Sequence, residues 1–192
     1  MARMSSSAKR VVWELPAWIE SELDLTRPLR TDEEKMQLTI DLARLNIDRG
    51  GGPFGAAVVN GETGALLSVG ANWVVPQRSS LLHAEIAAIA FAQLALGSHS
   101  LASGAYELIA SSEPCIQCLG ATVWSGVTRL VCGANVAAAE AIGFDEGPRR
   151  DDWVSQLETR GIRVRLDVLS KEAGAVLTEF GKRGKPDYAV TR

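Results

Sequence analysis

Cysteine and histidine are scarce in this 192-residue sequence, with three of the first and two of the second. Three cysteines cannot all pair, which excludes a disulfide scaffold. The two at CxxC spacing, Cys115 and Cys118, point to metal or redox chemistry in a reducing, cytoplasmic setting. No apolar run approaches the roughly 18 residues that span a bilayer, so no membrane partner is expected. The basic N-terminal residues lead into Trp13, Glu14 and Pro16 instead of the apolar core of a signal peptide. A surplus of cationic charge is also missing: the formal net charge is −3, so a nucleic acid is not the expected partner and a small-molecule substrate fits better. Internal repeats and low-complexity segments are absent. What remains, 46% hydrophobic and 22% charged residues, is the usage of an ordinary globular chain whose length suits one domain.

Residues 1–30 lack periodicity and read as a lead-in arm in which Trp13, Leu15 and Trp18 are available to pack on the body or on a second subunit. Residues 31–192 read as one domain. Thr31 with Glu34 forms a capping box for a helix carrying Met36, Ile40, Ala43 and Ile47 at helical spacing, closed by Gly50, Gly51 and Gly52. FGAAVVN and ALLSVGAN flank a turn at Gly61 to Gly64 and read as a hairpin, with Asn72 where its second strand runs out. Residues 83–97 are apolar nearly all round, which suits a helix packed under a sheet. YELIA (106–110) reads as a third strand, and Pro114 suits the first position of the helix that follows. Thr128 to Ala134 reads as a fourth strand, followed by a loop containing GFDEGPRR, a helix near Asp151 to Arg160, and a fifth strand. In that strand Ile162, Val164, Leu166 and Val168 alternate with Arg163, Arg165 and Asp167, which places it at an edge. The intervening helix makes strands four and five parallel. A last helix begins near Ser170 and turns Ala173, Val176, Leu177 and Phe180 inward.

The chemistry concentrates in two short stretches, His83-Ala84-Glu85 and Pro114-Cys115-x-x-Cys118, an arrangement known as the signature of zinc base deaminases. A catalytic zinc takes three protein ligands and keeps one open position, and one imidazole with two thiolates supplies that set. Cys115 and Cys118 share one face at the start of a helix, where the positive end of the helix dipole favours the thiolate. Glu85, two residues beyond a ligand, turns out of the metal's coordination sphere. It stays near the water that zinc activates, as a proton shuttle must. A structural zinc module is the competing reading. It would prefer a fourth protein ligand, and Cys132, lying mid-strand in RLVCGA, reads as core. It also leaves Glu85 without a role.

These motifs, with GGPFGAAVV, Asn72, SSEPCIQCLGATVWSGVTRLVCGA and AIGFDEGP, resemble the cytidine deaminase superfamily over most of residues 31–170. GGPFGA and AIGFDEG point to its guanine deaminase branch. The resemblance implies a three-layer α/β/α fold around a five-stranded mixed sheet, and one zinc ion per subunit. It implies that Asn72 hydrogen-bonds the base edge, that Phe54 and Trp124 line an aromatic slot, and that backbone groups around Ala84 and Ser112 add contacts. Glu146 matches the acidic residue used for substrate recognition or proton relay, with Asp145 beside it. Many guanine deaminases carry Asp there, so the extra methylene of Glu146 admits other amino-heterocycles. The implied activity is hydrolysis of guanine to xanthine and ammonia, with guanosine, an aminotriazine such as ammeline, or cytosine as alternative substrates. A tRNA adenosine deaminase would need a basic surface, and only Arg149, Arg150, Lys182, Arg183 and Lys185 cluster. The resemblance also implies a homodimer in which the C-terminal tail crosses over and Tyr188 caps the partner's site.

Overall fold

The computed structural model describes residues 12–184 of the chain. Its centre is a five-stranded sheet in the order β2-β1-β3-β4-β5. The strands are β1 (Gly55–Asn60), β2 (Leu66–Ala71), β3 (Tyr106–Ser112), β4 (Arg129–Ala134) and β5 (Arg163–Arg165). β1 runs antiparallel to both β2 and β3, whereas β3, β4 and β5 run parallel. This is the expected mixed sheet with β5 at one edge. The helices are α1 (Trp18–Glu22), α2 (Asp32–Ile47), α3 (Ala84–Leu96), α4 (Ile116–Ser125), α5 (Val136–Glu140), α6 (Trp153–Glu158) and α7 (Ser170–Lys182).

Strand alternation divides the core into two layers. Ala57, Val59, Ile109 and Val131 face α2 and α7, while Ala56, Val58, Leu108, Leu130 and Cys132 face the other way and pack with α3 and Leu119 of α4. A sheet buried on both faces explains why its strands read as near-continuous apolar runs. Cys132 is fully buried, as a core cysteine. α2 starts with both halves of the Thr31–Glu34 capping box in place. α3 sits close to β2 because Gly70 has no side chain: a Cβ there would lie 2.3 Å from the carbonyl of Ala84. Trp13, Leu15 and Trp18 pack on the α2 and α7 side, and Ile19 of α1 is fully buried there.

Three local expectations need correction. The segment after β4 contains the short helix α5, begun by the Asn135 side chain accepting from the Ala138 amide, an N-cap in a stretch without apolar periodicity. Pro114 lies two positions before α4, whose N-cap is Cys115. The fifth strand is only three residues long: left-handed backbone at Asp167 (φ 62°) breaks the ladder, although Val168 N still donates to Cys132 of β4, and Leu169 (φ 49°) then turns the chain into α7.

Candidate active site

β2, β3 and β4 run in the same direction and end at the same end of the sheet, and the connections that leave those ends carry most of the site. His83 is the N-cap residue of α3 and Cys115 that of α4, so two helix N-termini converge there. His83 Nδ1 lies 3.4 Å from Cys115 Sγ and 3.6 Å from Cys118 Sγ, and all three donor atoms fall within 4.8 Å of one another. A tetrahedral zinc with N and S bonds of about 2.0 and 2.3 Å requires N–S edges of roughly 3.6 Å, so the donor set fits the ion in chemistry and in spacing. Among the described residues no other His, Cys, Asp or Glu cluster meets this standard.

Electrostatics agree with ligation. A hydrogen bond from Cys118, then the imidazole of His83, lowers the Cys115 thiol to about 4, opposed by burial. Cys118 moves the opposite way, well above the ordinary thiol value, because Cys115 already holds the negative charge and Cys118 is buried. Such a pair shares one charge until a cation arrives that both can bind. Burial pulls His83 down, but the Cys115 thiolate together with the charges of Glu85 and Glu146 outweighs it and the net direction is up.

His83 and Cys115 line a cavity of about 600 Å³, with Cys118 buried behind them, and Phe54, Asn72, Glu85, Glu113, Phe144, Asp145 and Glu146 line it too. That volume suits a bicyclic heterocycle with room at the mouth. Glu85 and Glu146 are both buried, at 8% and 9% exposure. Burial, and after it the Cys115 charge, raises Glu85 above the usual carboxylate range. Burial, then the charges of Cys115 and Glu85, pushes Glu146 up to about 8.

Asn72 is held by its backbone: its amide donates to the Phe54 carbonyl at 3.1 Å, and its carbonyl accepts from Gly52 N and from the buried Asn46 Nδ2. Phe54 meets Phe144 edge-to-face at 4.8 Å between centroids, and Phe144 rests on Phe180 of α7 at 5.9 Å. Asp145 caps its own turn, accepting from Gly147 N at 2.8 Å.

Other expected positions fall elsewhere. Trp124 does not line the cavity: it stands 83% exposed on the outer face of α4, because the face that carries Cys118 and Thr122 is the one turned inward. Ala84 and Ser112 are buried beside the lining residues His83, Glu85 and Glu113 without lining the cavity themselves, and Ser112 donates to the carbonyl of Ala134. Tyr188 lies outside the described residues. Two contributors escaped the sequence reading. Glu113 lines the cavity next to the Pro-Cys pair, and Asn46 looked like an ordinary polar position in an amphipathic helix, since its partners are backbone carbonyls that leave no trace in composition.

Comparison with known proteins agrees with this geometry. Residues 29–134 match the model of the cytidine and deoxycytidylate deaminase zinc-binding region. The guanine deaminase of Bacillus subtilis is 35% identical over 115 residues, which cover 59% of this chain and 71% of that protein. A solved guanine deaminase from Nitrosomonas europaea is 41% identical, with a TM-score of 0.87 over 94% of this chain and all of that one. A variant of the protein NE0047 in complex with 8-azaguanine is 43% identical, with a TM-score of 0.86 over 90% of this chain and 98% of that one.

Proposed function

Because the chain belongs to the zinc-binding cytidine and deoxycytidylate deaminase family and is a zinc-dependent hydrolytic deaminase, we propose that its substrate is guanine, converted with water to xanthine and ammonia. The observation that carries this reading is the convergence on one cavity of a His-Cys-Cys donor set, two buried carboxylates and the Phe54–Phe144 pair. The likeness to guanine deaminases over most of the chain supports it.

His83, Cys115 and Cys118 would hold the zinc ion, which would supply Lewis acidity and a water of lowered pKa as the nucleophile at neutral pH. Glu85, held by burial above the usual carboxylate range, would take one proton from the attacking water and pass it to a ring nitrogen, then take the remaining hydroxyl proton as the carbonyl forms and deliver it to the amine as the C–N bond breaks. Glu146, neutral up to about pH 8, donates a hydrogen bond to the bound base. Two acids of unequal environment thus divide the work. Asn72 presents its carboxamide to the base edge and Phe54 stacks on the ring. Asp145 holds the turn from which Glu146 projects.

The test is ammonia release measured across guanine, guanosine, cytosine, adenine and ammeline, with xanthine identified as product. Guanine is expected to show the highest kcat/KM, and an absence of guanine turnover at micromolar enzyme would refute the assignment. A tRNA substrate is disfavoured by the fate of the cationic residues. Arg149 pairs with Glu113, Arg150 with Asp152, and Arg183 with Asp48 and Glu179, so these three do not form a free basic surface.

The enzyme works as a homodimer in this proposal, supported by large apolar side chains left exposed on α3 and α4, Leu94 at 75% and Trp124 at 83%. Cys115, Cys118 and Cys132 form no disulfide with one another, which suits a reducing cytoplasm.

A further inference from the structure

Glu146 sits on an irregular connection, so something must hold that connection against the metal-binding turn. Two contacts are backbone-level. Ile116 N donates to the carbonyl of Glu146 at 3.0 Å, and Gly147, at φ +73°, brings the chain so near that a Cβ there would lie 2.5 Å from Ile116 Cγ2. The third contact is made by Arg149. One arm of its guanidinium donates to Glu113 Oε2 at 2.9 Å, and the other reaches the carbonyl of Pro114 at 3.4 Å. Its plane lies over the ring of the buried Trp153, 5.1 Å from the centroid. Only 12% and 13% of the Arg149 and Glu113 side chains are exposed, so this pair is shielded from water and salt.

We propose that Arg149 is a positioning residue that clamps the Gly143–Arg150 connection onto the Glu113-Pro114-Cys115 turn and thereby fixes Glu146 over the cavity. The geometry assigns each element a part. Trp153 orients the guanidinium, Glu113 and Pro114 receive its fork, and Glu146 lies three residues up the same short segment, already tied to Ile116. A lysine could supply the charge to Glu113 but could not engage both acceptors while stacking on Trp153. The placement of Glu146 as a group that contacts substrate rests on the reading of the previous section, whereas the clamp itself does not.

The experiment uses zinc-loaded Arg149→Gln and wild-type enzyme. Hydrogen exchange is expected to speed up at least about 10-fold at the amides of Ile116 and Gly147, with Leu119 to Val123 inside α4 and the zinc content unchanged. kcat per bound zinc is expected to fall about 10- to 100-fold, the range for a catalytic group misplaced by about 1 Å. A merely structural role would lower zinc content or melting temperature and leave kcat per bound zinc intact. That outcome, or unchanged exchange at Ile116 and Gly147, overturns the proposal. Should Arg149→Gln fail to fold, Arg149→Lys tests the fork alone: faster exchange at the same two amides supports the clamp, and wild-type exchange refutes it. If guanine proves not to be a substrate, the exchange data still decide the clamp, so the two failures are distinguishable.

Discussion

Replacing Glu146 by glutamine separates its proton from its shape. Burial, with help from neighbouring negative charge, raises this carboxyl from an ordinary 4.5 to about 8. At 1.36 kcal/mol per unit that shift corresponds to a ceiling of about 5 kcal/mol. Water at the cavity mouth screens part of it, and zinc neutralises part of the Cys115 charge while leaving burial, the largest cause, in place. About 2–3 kcal/mol remains. The sign follows from proton uptake. Below about pH 4.5 the group is protonated in both folded and unfolded chains and costs nothing. As pH rises towards 8 the unfolded chain releases its proton while the folded one retains it, so wild-type stability falls progressively and levels off above about 8. Glutamine cannot ionise, so the stability of Glu146→Gln relative to wild type should climb by about 2–3 kcal/mol between pH 5 and 9. Urea denaturation of both zinc-loaded proteins at several pH values reads this directly. Guanine turnover supplies the second half of the test: wild-type kcat/KM should decline above about pH 8 as Glu146 loses its proton, and the variant should lack that limb. A stability difference that is flat across the range, or a limb that survives in the variant, would refute the reasoning.

Glu85→Gln should retain zinc, measured by atomic absorption, and retain its fold, while kcat drops by about 10²- to 10⁴-fold, the usual loss for a removed general base; surviving activity would exclude the assigned shuttle. Cys118→Ser should weaken zinc binding in a chelator competition and reduce turnover in step with lost metal. Lys35→Met removes the partner 2.6 Å from Glu107 at the opposite end of the sheet, where only 4% and 8% of the two side chains are exposed. Arg129, at 3.4 Å, remains to compensate in part, so urea denaturation should show a loss of about 3 kcal/mol with kcat per folded molecule unchanged. Trp124→Glu tests the proposed homodimer: sedimentation is expected to move from dimer towards monomer, and an unchanged sedimentation would exclude Trp124 from a subunit interface.

The sequence by itself determined most of the elements and the candidate metal donors, whereas the short helices α1 and α5 carried no periodic signal. Apolar alternation, the Thr31–Glu34 box and glycine punctuation are local signals, and they located α2, α3, α7 and the strands because propensity and packing agree there. His83, Cys115 and Cys118 were legible for a related reason, since zinc chemistry admits few residue types and fixes their spacing along a helix. Directions in space belonged to the tertiary structure. Trp124 follows Cys118 along α4 in a motif-rich stretch, yet the rotation of that helix sends it into solvent while Ile116, with no chemical signal, borders the cavity. Asn46 and Arg149 could not be singled out in advance, since their partners are carbonyls and a carboxylate that are distant in the chain or depend on a turn. The elevated proton affinity of Glu146 is likewise a product of folding, because a loop glutamate becomes an acid of about 8 only when the walls of the cavity remove its water.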